Sequence, residues 1–160
     1  MTKDAVYGIL ETVTDPEVPV LTILDLGIVR DVELPDDTTA NITITPTYSG
    51  CPAMNTISVQ IRLALMEHGF KHINIHTVLT PAWTTDWMTP AGKDKLKAYG
   101  IAPPQYSAKA QTGLFEEARV QCPQCNSFNT RLISEFGSTS CKSLYQCNDC
   151  KEPFDYFKCH

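Results

Sequence analysis

Two cysteine pairs near the C-terminus have the spacing of metal ligands. The pairs are Cys122-Pro-Gln-Cys125 and Cys147-Asn-Asp-Cys150, and 21 residues separate them. Each C-x-x-C lets one tight turn direct two sulfurs at the same point, and two such turns complete the tetrahedral four-sulfur shell of structural Zn²⁺ sites. Because four thiolates leave no open position for water or substrate, the spacing predicts a zinc ion that stabilises the fold.

Three further side chains near these pairs leave another ligand set open. Cys141 and Cys159 are additional thiols, and His160 follows Cys159. We favour the paired cysteines, because each pair preorganises two sulfurs within one turn.

Cys51 is the candidate reactive thiol outside the cysteine pairs. It stands between a predicted strand and a predicted helix, in Ser49-Gly50-Cys51-Pro52. Pro52 suits the first helical turn, so we expect Cys51 at or next to the N-cap. There, unpaired backbone N–H groups and the positive end of the helix dipole favour the thiolate and make it reactive. The alternative is a buried cysteine that fills core space.

Four acidic residues outside the cysteine pairs are candidates for catalysis, but no pair of them has catalytic spacing. Asp15 and Glu17 flank Pro16 in a rigid turn, where Asp15 could also serve as an Asx-turn residue. Asp25 precedes Leu26-Gly27, and Asp86 lies between two tryptophans.

Three histidines are spaced by four residues. His68, His72 and His76 invite a metal interpretation, but Gly69 ends the predicted helix between the first two. We therefore interpret this spacing as coincidence.

Apolar periodicity and turn residues predict the element order αββαβα. The predicted elements are a helix within 1–13, strands over 27–34 and 41–45, a helix over 54–65, a strand over 72–80 and a helix over 90–99. On the first strand, alternation predicts one face shared by Ile28, Arg30, Val32 and Leu34.

We predict an α+β fold with two domains. A small α/β sandwich occupies residues 1–102, a linker 103–119, and an all-β zinc ribbon 120–160. Six aromatic residues of the ribbon are expected to pack around its short sheet: Phe128, Phe136, Tyr145, Phe154, Tyr156 and Phe157. A module this small needs the metal for much of its stability, on the order of 10 kcal/mol.

Composition excludes several function classes. Residues 1–118 carry 8 Lys/Arg against 14 Asp/Glu, a net charge of −6, and residues 119–160 carry 5 against 4, a net charge of +1. Neither part has the basic patch of a nucleic-acid binder. No apolar stretch approaches about 18 residues and the N-terminus lacks signal-peptide features, so we expect no membrane association and a cytoplasmic protein. Glycine-rich nucleotide loops and the G-x-S-x-G motif are absent.

Four segments of the first domain together resemble the iron-sulfur cluster assembly-factor family. The segments are Asp15-Pro16-Glu17, Asp25-Leu26-Gly27-Ile28-Val29, Thr45-Pro46-Thr47-Tyr48-Ser49-Gly50-Cys51-Pro52 and Pro81-Ala82-Trp83-Thr84. This resemblance covers residues 1 to about 102. It implies that Cys51 is the functional thiol, with Asp15 and Glu17 nearby, and that Cys51 transiently ligates iron or an iron-sulfur cluster.

With the ribbon included, the chain resembles the PaaD-type family of accessory proteins in bacterial phenylacetyl-CoA epoxidase systems. The ribbon segments that carry this resemblance are Cys122-Pro-Gln-Cys125-Asn-Ser, Phe136-Gly-Ser-Thr, Cys141-Lys142 and Cys147-Asn-Asp-Cys150-Lys-Glu-Pro-Phe154. The resemblance implies a maturation role in aerobic phenylacetate degradation, with the di-iron oxygenase and the reductase as partners and without catalytic activity of its own. A homodimer, a zinc-stapled structural adaptor and a Cys51-dependent thioester enzyme stay open as alternatives.

Overall fold

The computed structural model describes residues 1–47, 51–104, 120–139 and 142–157. The chain divides into two compact units. The first comprises Met1–Trp83 and Trp87–Thr89, and the second comprises Thr84–Asp86 and Pro90–His160. The predicted linker beyond residue 104 lies outside the described residues, as do Cys141, Cys159 and His160.

The first unit combines two helices with a three-stranded sheet. Its elements are α1 (Lys3–Leu10), β1 (Val29–Asp36), β2 (Thr39–Ile44), α2 (Ala53–Glu67) and β3 (His72–Thr77). The sheet order is β1-β2-β3. β1 and β2 form the predicted hairpin, whereas β2 and β3 run parallel, which requires a crossover connection that α2 supplies.

The helices bury the faces that their apolar periodicity predicts. α1 buries Val6, Ile9 and Leu10, which recur at helical spacing. In α2 the predicted positions Ile57, Ile61 and Leu65 are all buried. β2 alternates buried residues with half-buried ones, and α1 contacts both α2 and β1. The core of this unit is therefore built from one stripe of each helix and the sheet.

The prediction for one face of β1 is wrong at Arg30. Ile28 and Val32 are buried, but Arg30 is exposed because the β1–β2 register shifts between Val29 and Asp31. Such an irregularity breaks the two-residue alternation of a strand. The Arg30 guanidinium lies 3.9 Å from the ring centre of Trp87, a cation–π contact.

The second unit carries one helix and a four-stranded sheet. Its elements are α3 (Pro90–Tyr99), β4 (Ile101–Ala102), β5 (Thr130–Ser134), β6 (Lys142–Cys147) and β7 (Pro153–Phe157). A 3₁₀ turn covers Thr85–Trp87, and its last residue belongs to the first unit. The sheet order is β4-β7-β6-β5. The predicted α+β class and the C-terminal β-ribbon are confirmed.

A short strand joins the ribbon sheet from further upstream than predicted. Ile101 and Ala102 form β4 and pair in parallel with Asp155 and Tyr156 of β7. The predicted domain boundary at residue 102 stays a prediction, with β4 placed directly before it.

Aromatic packing in the ribbon is confirmed in part. Tyr145 stacks on Phe154, with ring centres 6.0 Å apart, and meets Tyr156 edge-on at 5.6 Å. Phe157 is buried as well. Phe128 and Phe136 differ from the prediction, because 54% and 58% of their surface is exposed.

Among the described helices, none combines the length and the apolar character that crossing a lipid bilayer requires.

Candidate metal centre and thiol site

The four paired cysteines converge on one point. Their sulfur atoms all lie within 4.8 Å of one another. Cys122 Sγ lies 3.7 Å from Cys150 Sγ, and Cys125 Sγ lies 3.5 Å from Cys147 Sγ. Zn–S bonds of about 2.3 Å place the sulfurs of a tetrahedral site about 3.8 Å apart. The arrangement therefore suits a single metal ion held by all four sulfurs.

The two turns that carry the sulfurs repeat the same backbone contacts. The Cys122 N–H donates to the Ser127 carbonyl at 2.8 Å, and the Cys147 N–H donates to the Glu152 carbonyl at 3.0 Å. The first sulfur of each turn accepts a backbone N–H: Gln124 N lies 3.4 Å from Cys122 Sγ, and Cys150 N lies 3.5 Å from Cys147 Sγ. At Cys147 this donor favours the thiolate form that a metal requires.

Each turn also contains a residue in the left-handed region. Asn126 has φ 62° and Lys151 has φ 67°, and each directly follows the second cysteine of its pair. This requirement was not predicted from the sequence. Asparagine at position 126 is a local signal for it, because asparagine tolerates this conformation, whereas lysine at position 151 gives none.

A polar network ties the two turns together. Asn148 N donates to the Asn129 carbonyl at 2.8 Å, and Asn129 Nδ2 donates to Asp149 Oδ1 at 3.2 Å. The Ser127 hydroxyl donates to the other carboxylate oxygen of Asp149. The hydrogen bonds from Ser127 and Asn129, that of Ser127 first, and the charge of Lys151 lower the pKa of Asp149. The network joins residues about twenty positions apart, and it was not predicted from the sequence either.

The thiols differ in how readily they ionise. The Cys150 N–H, which donates to the Cys147 sulfur, is the main reason that the pKa of Cys147 is lowered to about 7. For Cys150, the backbone N–H of Glu152 acts in the same direction, but burial and the three neighbouring sulfurs together raise its pKa to about 12. The pKa of Cys125 is also raised: the Ser127 N–H lowers it, but Cys147, burial and Cys122 outweigh that effect.

The metal centre lies at the border of the ribbon core. Cys122 and Cys147 are fully buried and belong to an apolar cluster with Ala102, Val120, Phe154 and Tyr156. Cys125 and Cys150 are exposed. An ion at this position would link the core of the ribbon to its outer turns.

Cys51 lies where the sequence predicts, directly before the N-cap residue Pro52 of α2. Its side chain is half-buried, and its carbonyl accepts the N–H of Met54 at 3.3 Å. No side chain in the described ranges caps this end of α2. The helix N-terminus therefore presents backbone donors beside the cysteine. The functional role of Cys51 stays a prediction.

Asp15 forms the Asx turn that was one interpretation of the acidic motif. It is 6% exposed, and its Oδ1 accepts the N–H of Glu17 at 2.9 Å. The Asp15 N–H donates to the Leu21 carbonyl at 2.9 Å, which closes the loop. The Asp15 carboxylate therefore stabilises this turn. The predicted position of Asp15 and Glu17 beside Cys51 stays a prediction.

The Asp25-Leu26-Gly27 motif also has a structural explanation. Thr22 and Asp25 bond reciprocally, because each side chain accepts the other's backbone N–H at 3.0 Å. Gly27 has φ +73°, and a Cβ atom there would collide with the Trp87 carbonyl oxygen. The buried Trp83 donates through Nε1 to the Leu26 carbonyl at 2.7 Å. These contacts fix the loop before β1.

The three histidines do not form a metal site. His68 lies at the C-cap of α2 with Nδ1 2.8 Å from the Ala64 carbonyl, while His72 and His76 are exposed on β3. The four cysteines are the single group in the described ranges whose geometry could hold a metal ion.

Two family profiles match successive parts of the chain. The family described as "Iron-sulfur cluster assembly protein" matches residues 3–68. The family described as "PaaD zinc beta ribbon domain" matches residues 107–158. The two matches separate the thiol site from the four-cysteine centre.

One curated relative matches nearly the whole chain, and shorter relatives match a little over half of it. The chain is 50% identical over 155 residues to a putative subunit of the 1,2-phenylacetyl-CoA epoxidase of Escherichia coli, covering 96% of this chain and 91% of that protein. It is 38% identical over 92 residues to an Fe-S protein maturation auxiliary factor of Bacillus subtilis, covering 57% of this chain and 89% of that protein. The crystal structure of a domain of unknown function, DUF59, from Bacillus anthracis matches with a TM-score of 0.56 at 31% identity, covering 59% of this chain and 90% of that one.

Proposed function

Because the chain belongs to the PaaD-type family of phenylacetyl-CoA epoxidase proteins, we propose that it is an accessory protein that assists iron-sulfur cluster or iron-centre assembly in that complex. The observation that carries this proposal is the similarity over 96% of the chain, together with the assembly-protein profile over residues 3–68. We also propose a role in phenylacetate degradation, which the name of the same relative supports.

The clients in this proposal are the reductase and the oxygenase subunits. A di-iron oxygenase needs several carboxylates and histidines around its metals. In the described parts of the chain, the sole candidate metal group consists of four cysteines. A maturation role therefore fits this chain better than oxygenase chemistry does.

Cys51 is the thiol that would hold iron or a cluster during transfer. It precedes a 15-residue helix, and the positive end of the helix dipole favours a thiolate at that position. Thiolates are the usual protein ligands of iron-sulfur clusters. Such a thiol needs a reducing compartment, and we place the protein in the cytoplasm.

Cys122, Cys125, Cys147 and Cys150 would hold Zn²⁺ as a structural ion. The sulfur separations of 3.5 and 3.7 Å match a tetrahedral zinc site, and a four-thiolate shell leaves no position for substrate. Zinc would supply no reaction chemistry here. It would fix the two turns to each other and to the ribbon core.

The experiment measures the cluster content of the reductase after co-expression with this chain. Wild type should give full loading, and Cys51→Ala should give loading close to that without the chain. Leu79→Ala, at a residue that is 59% exposed on the same unit, is the matched control and should behave as wild type. Equal loading with wild type and Cys51→Ala would rule out the proposed role of the thiol.

The closed four-sulfur centre favours one rival function, that of a structural adaptor. An adaptor needs the zinc ribbon but no reactive thiol, so Cys51→Ala would then complement growth on phenylacetate fully. A thioester enzyme would show turnover of a thioester substrate that Cys51→Ala abolishes.

A further inference from the structure

Four polar residues join the two metal-binding turns on the surface of the ribbon. Ser127 and Asn129 follow the first turn, and Asn148 and Asp149 lie between the two cysteines of the second. The Asp149 carboxylate accepts from the Ser127 hydroxyl and, at 3.2 Å, from Asn129 Nδ2. Asn148 donates to Asn129 twice, from its backbone N–H to the carbonyl at 2.8 Å and from Nδ2 to Oδ1 at 3.0 Å. We refer to these four residues as the clasp.

The clasp closes the open end of a β-hairpin. The β5–β6 ladder ends with the pair Thr130 and Cys147, and Asn129 and Asn148 continue it by one residue. Beyond this point each strand connects to one of the two cysteine turns. The ends of secondary-structure elements open more easily than their middles. The clasp therefore holds the hairpin together at the end where the two turns would separate.

The strongest link of the clasp joins Ser127 to Asp149. The Ser127 oxygen accepts the Asn129 N–H at 3.0 Å, while the hydroxyl proton points to the carboxylate. The hydrogen bonds of Ser127 and Asn129 and the charge of Lys151 hold the pKa of Asp149 below its usual value, so the carboxylate is ionised at neutral pH. A hydrogen bond to an ionised acceptor is about twice as strong as one between neutral groups. Removal of either side chain should therefore loosen the clasp.

The same two residues present backbone donors to two of the sulfurs. The Ser127 N–H interacts with Cys125 Sγ, and the Asp149 N–H interacts with Cys147 Sγ. These two sulfurs belong to different turns and lie 3.5 Å apart. The Ser127–Asp149 side-chain hydrogen bond therefore closes a ring that contains one amide donor and one sulfur from each turn. If the turns move apart, the side-chain hydrogen bond and the approach of the sulfurs are lost together.

Burial alone does not retain an ion at this centre. Cys122 and Cys147 are buried, but Cys125 and Cys150 are exposed, so a competing ligand can reach two of the four sulfurs. Each turn supplies only two sulfurs of the tetrahedral shell. Removal of the ion from all four sulfurs therefore requires the two turns to separate.

We propose that Asp149, acting through Ser127 and Asn129, is a positioning residue that sets how long the four-sulfur centre retains its metal ion. The clasp must open before the second turn can move away from the first, so this opening limits the rate of metal release. Asp149 acts through the turns, because the candidate ligands are the four cysteines. This inference rests on the zinc centre of the proposed function.

The experiment measures the rate at which the zinc-loaded full chain releases zinc to an excess of a chromogenic chelator. Asp149→Ala and Ser127→Ala should each release zinc about tenfold faster or more, the range typical of residues that orient metal ligands. Ser127→Thr keeps the hydroxyl and should release zinc at the wild-type rate. Glu152→Ala removes the same charge at an exposed position just after the second turn, and it should also behave as wild type. An unchanged rate in Asp149→Ala would exclude the clasp.

Arg131→Ala separates positioning of the turns from general stability of the hairpin. Arg131 Nη2 donates to Gln146 Oε1 at 2.6 Å, in the ladder pair next to Thr130 and Cys147. This variant weakens the same hairpin at a pair outside the clasp, and it should change the rate of zinc release by less than about threefold. If Arg131→Ala accelerated release as much as Asp149→Ala does, the clasp would only stabilise the hairpin, and the proposal would fail.

The dependence of the rate on chelator concentration tests the opening step. The rate should reach a plateau at high chelator concentration, and the plateau should be higher in Asp149→Ala than in wild type. A rate that keeps rising in proportion to chelator would instead show direct attack at the exposed Cys125 and Cys150, and it would overturn the proposal. A wild-type chain without zinc on metal analysis would refute the zinc centre and the clasp with it, whereas bound zinc with unchanged release refutes the clasp alone. The cluster-loading assay with Cys51→Ala is independent of both results.

Discussion

Asn126 and Lys151 occupy the same position in the two metal-binding turns, and both adopt the left-handed backbone conformation, with φ of 62° and 67°. Each directly follows the second cysteine of its pair. In this conformation the chain reverses so that Cys122 and Cys147 each donate to the carbonyl five residues ahead. The two turns are thus structural repeats, although their sequences share little beyond the cysteines.

This relationship predicts opposite effects of two substitutions at position 151. Lys151→Val should destabilise the zinc-loaded ribbon by about 1–2 kcal/mol relative to Lys151→Gly, because a β-branched residue resists positive φ and glycine does not. Denaturant unfolding followed by near-UV circular dichroism measures the difference. At position 126 the difference between Asn126→Gly and wild type should be smaller, since asparagine already tolerates this conformation. Equal stabilities of the two Lys151 variants would contradict the argument.

A second prediction compares two glycines of the first unit, Gly27 in a crowded position and Gly8 in an open one. Gly27→Ala should lower the free energy of unfolding by about 2 kcal/mol or more, because φ is +73° and the new Cβ would collide with the Trp87 carbonyl. Gly8→Ala is the matched control within α1, where a Cβ meets nothing within 4 Å. That change should stabilise the protein by about 0.5–1 kcal/mol through helix propensity. Thermal unfolding of both variants tests the contrast, and a tolerated Gly27→Ala would contradict it.

Structural features that depend on residues close together in the sequence could be predicted. The meeting of two sulfurs in each turn follows from the C-x-x-C spacing, and the buried stripe of α2 follows from its period. The position of Cys51 before the helix follows from Pro52. In each case neighbouring residues determine the geometry.

Features that depend on distant contacts were not predictable. β4 is only two residues long, and it exists because it pairs with β7, more than fifty residues later in the sequence. The register shift that exposes Arg30 arises in the pairing with β2. Local periodicity carries no information about such pairings.

A third prediction tests the metal ligands by removing one thiol at a time. Cys147→Ser should abolish zinc binding and unfold the ribbon, because Cys147 is a fully buried member of the core cluster as well as a ligand. Cys141→Ser should retain one zinc per chain. Metal analysis and hydrogen exchange of β6 and β7 measure both effects. Loss of zinc only in Cys141→Ser would overturn the ligand assignment.

A fourth prediction follows from the ionisation of the sulfur cluster. Zinc binds thiolates, so each thiol that is protonated in the zinc-free protein must release its proton when the metal binds. Near pH 7.5, Cys125 and Cys150 are protonated, because the pKa of Cys125 is raised and that of Cys150 lies at about 12. The pKa of Cys147 is about 7, so this thiol is already largely ionised at that pH.

Zinc binding should therefore release at least two protons per ion at pH 7.5. The apparent affinity should then rise with pH by about a hundredfold or more per unit around neutrality, since each released proton contributes about a factor of ten. Calorimetry in buffers of different ionisation enthalpy counts the protons, and competition with a chelator between pH 6.5 and 8 gives the slope. Release of fewer than two protons would show that the cluster ionises before the metal arrives. The apparent zinc affinity should therefore fall as the pH is lowered, because protons compete with zinc for the sulfurs.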